Sequence, residues 1–67
     1  MPKDKVLRDA IRIAGGPRAL ARSLGITHVA VIRWARVPPL RVLEVERLTG
    51  ISRHQLRPDI FGPAKRQ

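Results

Sequence analysis

"ALARSLGITHVAVIRW", Ala19 to Trp34, is the stretch on which the fold turns. An apolar run containing Leu20, Ala21 and Leu24 stops at Gly25, and a second run containing Val29, Val31 and Ile32 follows it. Glycine suits the break because it accepts the left-handed conformation that a helix end or a tight turn demands. Ile26 is the apolar plug of the turn, and Thr27 can cap a new helix through its side-chain oxygen. The β-branched residues of "HVAVIRW" favour strands by themselves, but the threonine cap and the glycine turn before them make the segment a helix. Two helices of about eight residues joined by a three-residue turn form a helix-turn-helix unit. In such a unit Ala21 must be small, because the helices cross closely there. Ile26 and Val31 must be apolar to pin the second helix on the first, and Trp34 closes the far end of the core.

Working outward, Asp4 can cap a first helix in which Leu7, Ala10, Ile11 and Ala14 form one apolar stripe. Gly15 and Gly16 end it, and Pro17 stands at a good first position for a second helix, Pro17 to Leu24. The third helix, capped by Thr27, is expected to run to Ala35 or Arg36, because Val37 precedes Pro38 and a residue before proline disfavours helix. Pro39 opens a fourth helix to Leu48 or Thr49, with Leu40, Leu43 and either Val42 or Val45 as its apolar side, and Gly50 closes it. Ser52 and Gln55 make a capping box for a short fifth helix, which Pro58 ends. Ile60 and Phe61 are expected to pack back. The domain is therefore residues 1–61, with a loose basic tail over 62–67.

The 67 residues allow one small domain, and a chain of this size is marginally stable, with no room for a deep substrate cleft. Hydrophobic residues, 43 % of the sequence, suffice for a core, but Trp34 and Phe61 are the only aromatics, so that core is aliphatic. No cysteine is present, which excludes disulfides and thiolate zinc sites. No apolar run is long enough to span a membrane, and "MPKDKVLRDA" lacks the apolar centre of a secretory signal. The expected setting is cytoplasmic and nucleoid-associated. Two distant histidines and no facing pair of acids leave no catalytic or metal constellation, so no enzyme activity, metal or cofactor is expected.

The net charge is +9, and all of the 14 basic residues except Lys3, Lys5 and Lys65 are arginine. Such a balance favours a polyanionic partner, and the planar arginine fork suits phosphates and guanine edges. The third helix carries His28, Val29, Ile32 and Arg33 where a solvated helix would carry Glu, Lys or Gln, and no carboxylate occurs from Thr27 to Leu43. Arg33 can fork onto guanine, His28 can bond a base edge or phosphate, and Val29 and Ile32 can meet thymine methyls. Alternatively, His28 is a capping or solvated side chain. Pro17 opens a helix N-terminus with outward N–H groups. With Arg18, Arg22, Arg36 and Arg41, it is a candidate phosphate contact. His54 decorates the fifth helix, and Glu44 is a partner for Arg47, Arg41 or Arg8. The fourth helix, with the "DIF" tail, is either fully packed or a dimer face.

"GGPRALARSLGITHVAVIRWARVPP" followed by "RVLEVERLTGISRHQLRPDIF" resembles the small phage Cro and YdaS-type repressor and antitoxin family over about Ala14 to Phe61. The resemblance implies an all-α, compact five-helix, lambda-repressor-like (Cro) helix-turn-helix domain. Its third helix would read the major groove, with Thr27, His28, Val29, Ile32 and Arg33 facing the bases. The chain has His28 and Val29 where the family often has Gln or Ser, so its operator is its own. The expected function is a sequence-specific repressor of double-stranded DNA, binding a near-palindromic operator as a homodimer at least on DNA. Two other readings remain open. One is an antitoxin-type module that binds a protein partner and autoregulates its operon. The other is a non-specific basic nucleic-acid-binding protein, against which the scarcity of aromatics for base stacking counts.

Overall fold

In a computed structural model that describes residues 3–62, the acid expected to cap the first helix does so. Asp4 accepts a hydrogen bond from the amide of Val6 at 2.8 Å, and α1 runs Lys5–Ala14 with Leu7 and Ala10 buried. It ends on left-handed Gly15. Pro17 then takes the first position of α2 (Pro17–Leu24), which buries Leu20, Ala21 and Leu24. At Gly25 the backbone turns left-handed, φ 73°. A methyl group there would meet no atom within 4 Å, so the requirement for glycine is the backbone angle alone. Ile26 donates its N–H to Ala21 O at 3.0 Å, and Thr27 accepts from Ala30 N at 3.3 Å, starting α3 (His28–Arg33).

Here the structure departs from expectation. α3 stops at Arg33 and not at Ala35 or Arg36, because Trp34 swings to an extended conformation, φ −68° and ψ 132°. Trp34 is half-buried at the edge of the core, and Val37 takes the fully buried place beyond it, 1 % exposed. The fourth helix begins later than expected. Pro39–Arg41 is a 3₁₀ turn, and α4 is Val42–Thr49. A 3₁₀ turn advances three residues per turn, which shifts the register, so Val42 and Val45 are both buried while Leu40 is 93 % exposed and Leu43 is half-exposed. Leu40 and Leu43 therefore do not form the apolar side.

Ser52 caps α5 (Arg53–Leu56) by accepting from His54 N and Gln55 N. Pro58 follows the end of this helix, as expected, but also opens a sixth, α6 (Pro58–Phe61). Proline suits a first helical position, where its missing N–H costs nothing. The described residues thus hold six α-helices and no strand, one helix more than the five expected. Phe61 packs against the core, whereas Ile60 remains half-exposed. Of the basic tail, residues 63–67 lie outside the described residues.

The core gathers Leu7 and Ala10, Leu20, Ala21 and Leu24, Val31, Val37, Val42 and Val45, and Leu56. It contains no buried polar side chain. Arg57 ties α6 to the segment after α3. Its guanidinium donates to Val37 O at 2.8 Å and to both Asp59 oxygens, at 3.0 and 2.7 Å. That pairing holds the Asp59 carboxyl down at about 2, against an ordinary 3.8. A carboxyl depressed by folding contributes stability above its unfolded value, and the contribution disappears as pH falls through the folded one. The melting temperature of the native chain should therefore exceed that of Asp59→Asn at pH 5, and the gap should close between about pH 4 and pH 2. A gap that persists at pH 2 would show that the carboxylate charge is not what Arg57 uses.

Candidate nucleic-acid interface

α3 is anchored on α2 by Val31, its only buried residue. With 100° between successive helical residues, Val29 and Arg33 then lie opposite the anchor, Ile32 and Ala30 lie to its two sides, and His28 falls nearer the core. The wheel accounts for the exposure of Val29 and Arg33 and the partial burial of His28, and of the two flanking positions Ala30 is the more covered. Val29 is 47 % and Ile32 53 % exposed, Arg33 is exposed, and His28 and Ala30 are half-buried. On the adjoining face of α2, Arg18 and Arg22 are one turn apart and both exposed. The two helices enclose a shallow depression lined by Arg18, Arg22, Ile26, Thr27, His28 and Val29. Pro17 is exposed at the start of α2, whose first turn has no side-chain cap.

Electrostatics separate the arginines into two groups. Between Ala10 and Leu43 the chain has no acidic residue at all, a longer gap than the third helix alone displays. All five acids are engaged away from the depression. Asp9 pairs with Lys5 at 3.2 Å and Arg12 at 2.9 Å, and Glu46 accepts from the amide of Arg53. Asp4 and Asp59 flank Arg36 at 3.8 and 3.5 Å, and Glu44 takes Arg41 at 3.0 Å. Among the described residues the guanidinium groups of Arg18, Arg22 and Arg33 have no acidic partner, nor do those of Arg8, Arg47 and Arg53 elsewhere in the chain; what sets the first three apart is that they stand around the depression and α3. Of the candidate residues, Arg18, Arg22, Thr27, His28 and Val29 meet in one depression, and Ile32 and Arg33 extend it along α3. Arg36 and Arg41 stand on the connection beyond α3 with acids already beside them.

Two residues that sequence patterning did not single out hold that connection. The Lys3 ammonium donates to the carbonyls of Val31, Ile32 and Trp34, and Arg57 reaches Val37 O. No periodic signal announces a contact between positions so far apart. His54 has a structural place, its Nδ1 lying 3.0 Å from Phe61 O and 3.2 Å from Gly62 O. Among the described residues no cluster of three or more His, Cys, Asp or Glu could hold a metal ion. No helix among them is long and apolar enough to cross a membrane.

A cationic, methyl-bearing surface without carboxylates is suited to lie along a polyanion and unsuited to a cationic one. No curated protein and no solved structure matches the chain. A family model described as "Bacterial toxin YdaS" matches residues 7–65, which takes in α1 through α6 but for the first two residues of α1, and the chain belongs to that family.

Proposed function

We propose that the chain is a sequence-specific, double-stranded DNA-binding repressor of Cro type. α2 and α3 serve as its helix-turn-helix, and α3 lies in the major groove. One observation carries this reading: the chain spends all five acids elsewhere and leaves Arg18, Arg22 and Arg33 uncompensated around a methyl-rich helix face. A protein that only needed solubility would gain from acids interspersed there. In the groove, Arg33 forks onto a guanine, Val29 and Ile32 meet thymine methyls, and Thr27 and His28 bond base edges or the flanking backbone. Arg18, Arg22 and the open first turn at Pro17 hold phosphates. Arg36 and Arg41 contribute only by leaving their acids, so their contribution is the smaller. Occupancy of a promoter excludes polymerase.

Two copies on a near-palindromic operator place their α3 helices about 34 Å apart. Leu40 and Leu43, three residues apart, are exposed and offer a small apolar patch for the second copy. Two side chains fall well short of the ~800 Å² per partner of a standard interface, so pairing occurs on DNA, where the operator raises the local concentration. Selection from a random-duplex pool tests the proposal. A symmetric consensus is the expected result, and recovery of unrelated sequences with equal affinity would leave only non-specific coating. Arg33→Ala should cost about 1–3 kcal/mol of binding and relax the choice of base at one position. An equal loss on every duplex, with a salt slope reduced by about one, would make Arg33 a phosphate contact.

The same leucines, and a family described by a toxin, favour a second reading, an antitoxin-type module that binds a protein partner. Partner binding through the leucine patch should survive Arg33→Glu, whereas DNA binding should not.

A further inference from the structure

α3 is too short to hold itself, since isolated helices of one or two turns do not persist in water. It is also closed differently from its neighbours. α1, α2 and α4 end on left-handed Gly15, Gly25 and Gly50, whose amides return to the last turn. α3 ends on extended Trp34, with the single bond Trp34 N to Val31 O. The last carbonyls of such a helix need other donors. We infer that Lys3 is a positioning residue for α3: its ammonium closes the open end of the helix and sets the angle at which Val29, Ile32 and Arg33 are presented.

The geometry is specific. Lys3 Nζ lies 2.9 Å from Val31 O, 2.7 Å from Ile32 O and 2.6 Å from Trp34 O. An ammonium has three protons, and three carbonyls receive them. The charge sits at the negative end of the helix, where a cation is favoured. The next residue continues the strap, Asp4 donating its backbone N–H to Ala35 O at 2.8 Å. Partial burial pushes the Lys3 ammonium below its ordinary value, as befits a cation that has exchanged water for carbonyls. A lysine so engaged is not free to neutralise a phosphate. Arginine does not replace it fully, because a planar fork spreads its donors and does not converge them on one point.

The consequence for DNA rests on the repressor reading; the contact with α3 does not. The experiment therefore has two arms on the full chain, comparing the native protein with Lys3→Met and Lys3→Arg. In the first, amide hydrogen exchange is followed in the native state. Lys3→Met should speed exchange at Ile32, Arg33 and Trp34 by about tenfold or more, the scale of lost charge-assisted hydrogen bonds. The interior of α1 and α4 should keep its protection, and Lys3→Arg should restore α3 in part. In the second, binding to a selected duplex is measured against salt. Lys3→Met should weaken it about tenfold with the salt slope unchanged. Unaltered exchange in α3 would overturn the inference, and so would acceleration spread equally through α1 and α4. A salt slope lowered by about one would overturn it as well, by making Lys3 a phosphate contact. Failure of the native chain to prefer any duplex would sink the repressor reading, and the exchange arm would still decide the role of Lys3.

Discussion

Leu20→Ala should remove about 2–5 kcal/mol of unfolding free energy, the usual cost of emptying a closed leucine site. Leu20 is completely buried, as are Leu7, Val31, Val42 and Val45 around the same core. A chain of 67 residues has on the order of 3–10 kcal/mol in total. The variant should therefore be substantially unfolded at 37 °C or lie close to it. Urea unfolding followed by far-UV circular dichroism checks this: the midpoint should fall sharply with the slope unchanged. Leu40→Ala is the control, since that leucine is 93 % exposed and its loss should change stability by about 0.5 kcal/mol or less. Equal effects from the two substitutions would contradict the exposure of Leu40 on the 3₁₀ turn as well as the place of Leu20.

Val31→Asp should be as severe, for a different reason. The site is fully closed, and the core around it holds no polar side chain, so the carboxylate would find neither water nor a partner. An uncompensated buried charge costs about 3–5 kcal/mol, and part of that is recovered only by pulling α3 off α2. Thermal stability and duplex binding should fail together. Val29→Asp separates the two quantities. Val29 is two residues away on the same helix and half-exposed, so a charge there stays in water and should leave the melting temperature nearly unchanged. Placed against phosphates, it should still abolish binding. If Val29→Asp bound duplex as well as the native chain, α3 would not be the surface that meets DNA.

The difference between Val29 and Val31 was legible before any coordinates, because it depends only on helical periodicity and on which residue the glycine turn places inward. The caps at Asp4, Thr27 and Ser52 and the break at Gly25 were legible for the same reason: each is a bond or a backbone angle within four residues. The end of α3 was not. The chain leaves the helix at Trp34 and buries Val37, and the contacts that hold this segment come from 20 to 31 residues away, by Arg57 on Val37 O and by Lys3 on the last carbonyls of α3. The register of α4 was likewise hidden, since Pro38-Pro39 marks where helix cannot continue without saying whether the next turn is 3₁₀ or α. Within the candidate interface, position along the chain placed Arg36 and Arg41 among the phosphate contacts. The pairing of Arg41 with Glu44, three residues on, was among the partners the sequence offered that acid, whereas the carboxylates of Asp4 and Asp59 beside Arg36 became visible only once α1 and α6 were packed.

From the amino-acid order alone came an all-helical chain, the α2–turn–α3 unit, the outward residues of α3 and a surplus of positive charge. All are consequences of local geometry or of counting. Packing alone decided where α3 stops, which arginines stand without an acid, and that the N-terminal Lys3 closes the helix carrying Arg33. Those outcomes depend on which distant groups meet, because a buried carbonyl or an ion pair takes the nearest partner in space, and sequence distance does not enter its energy.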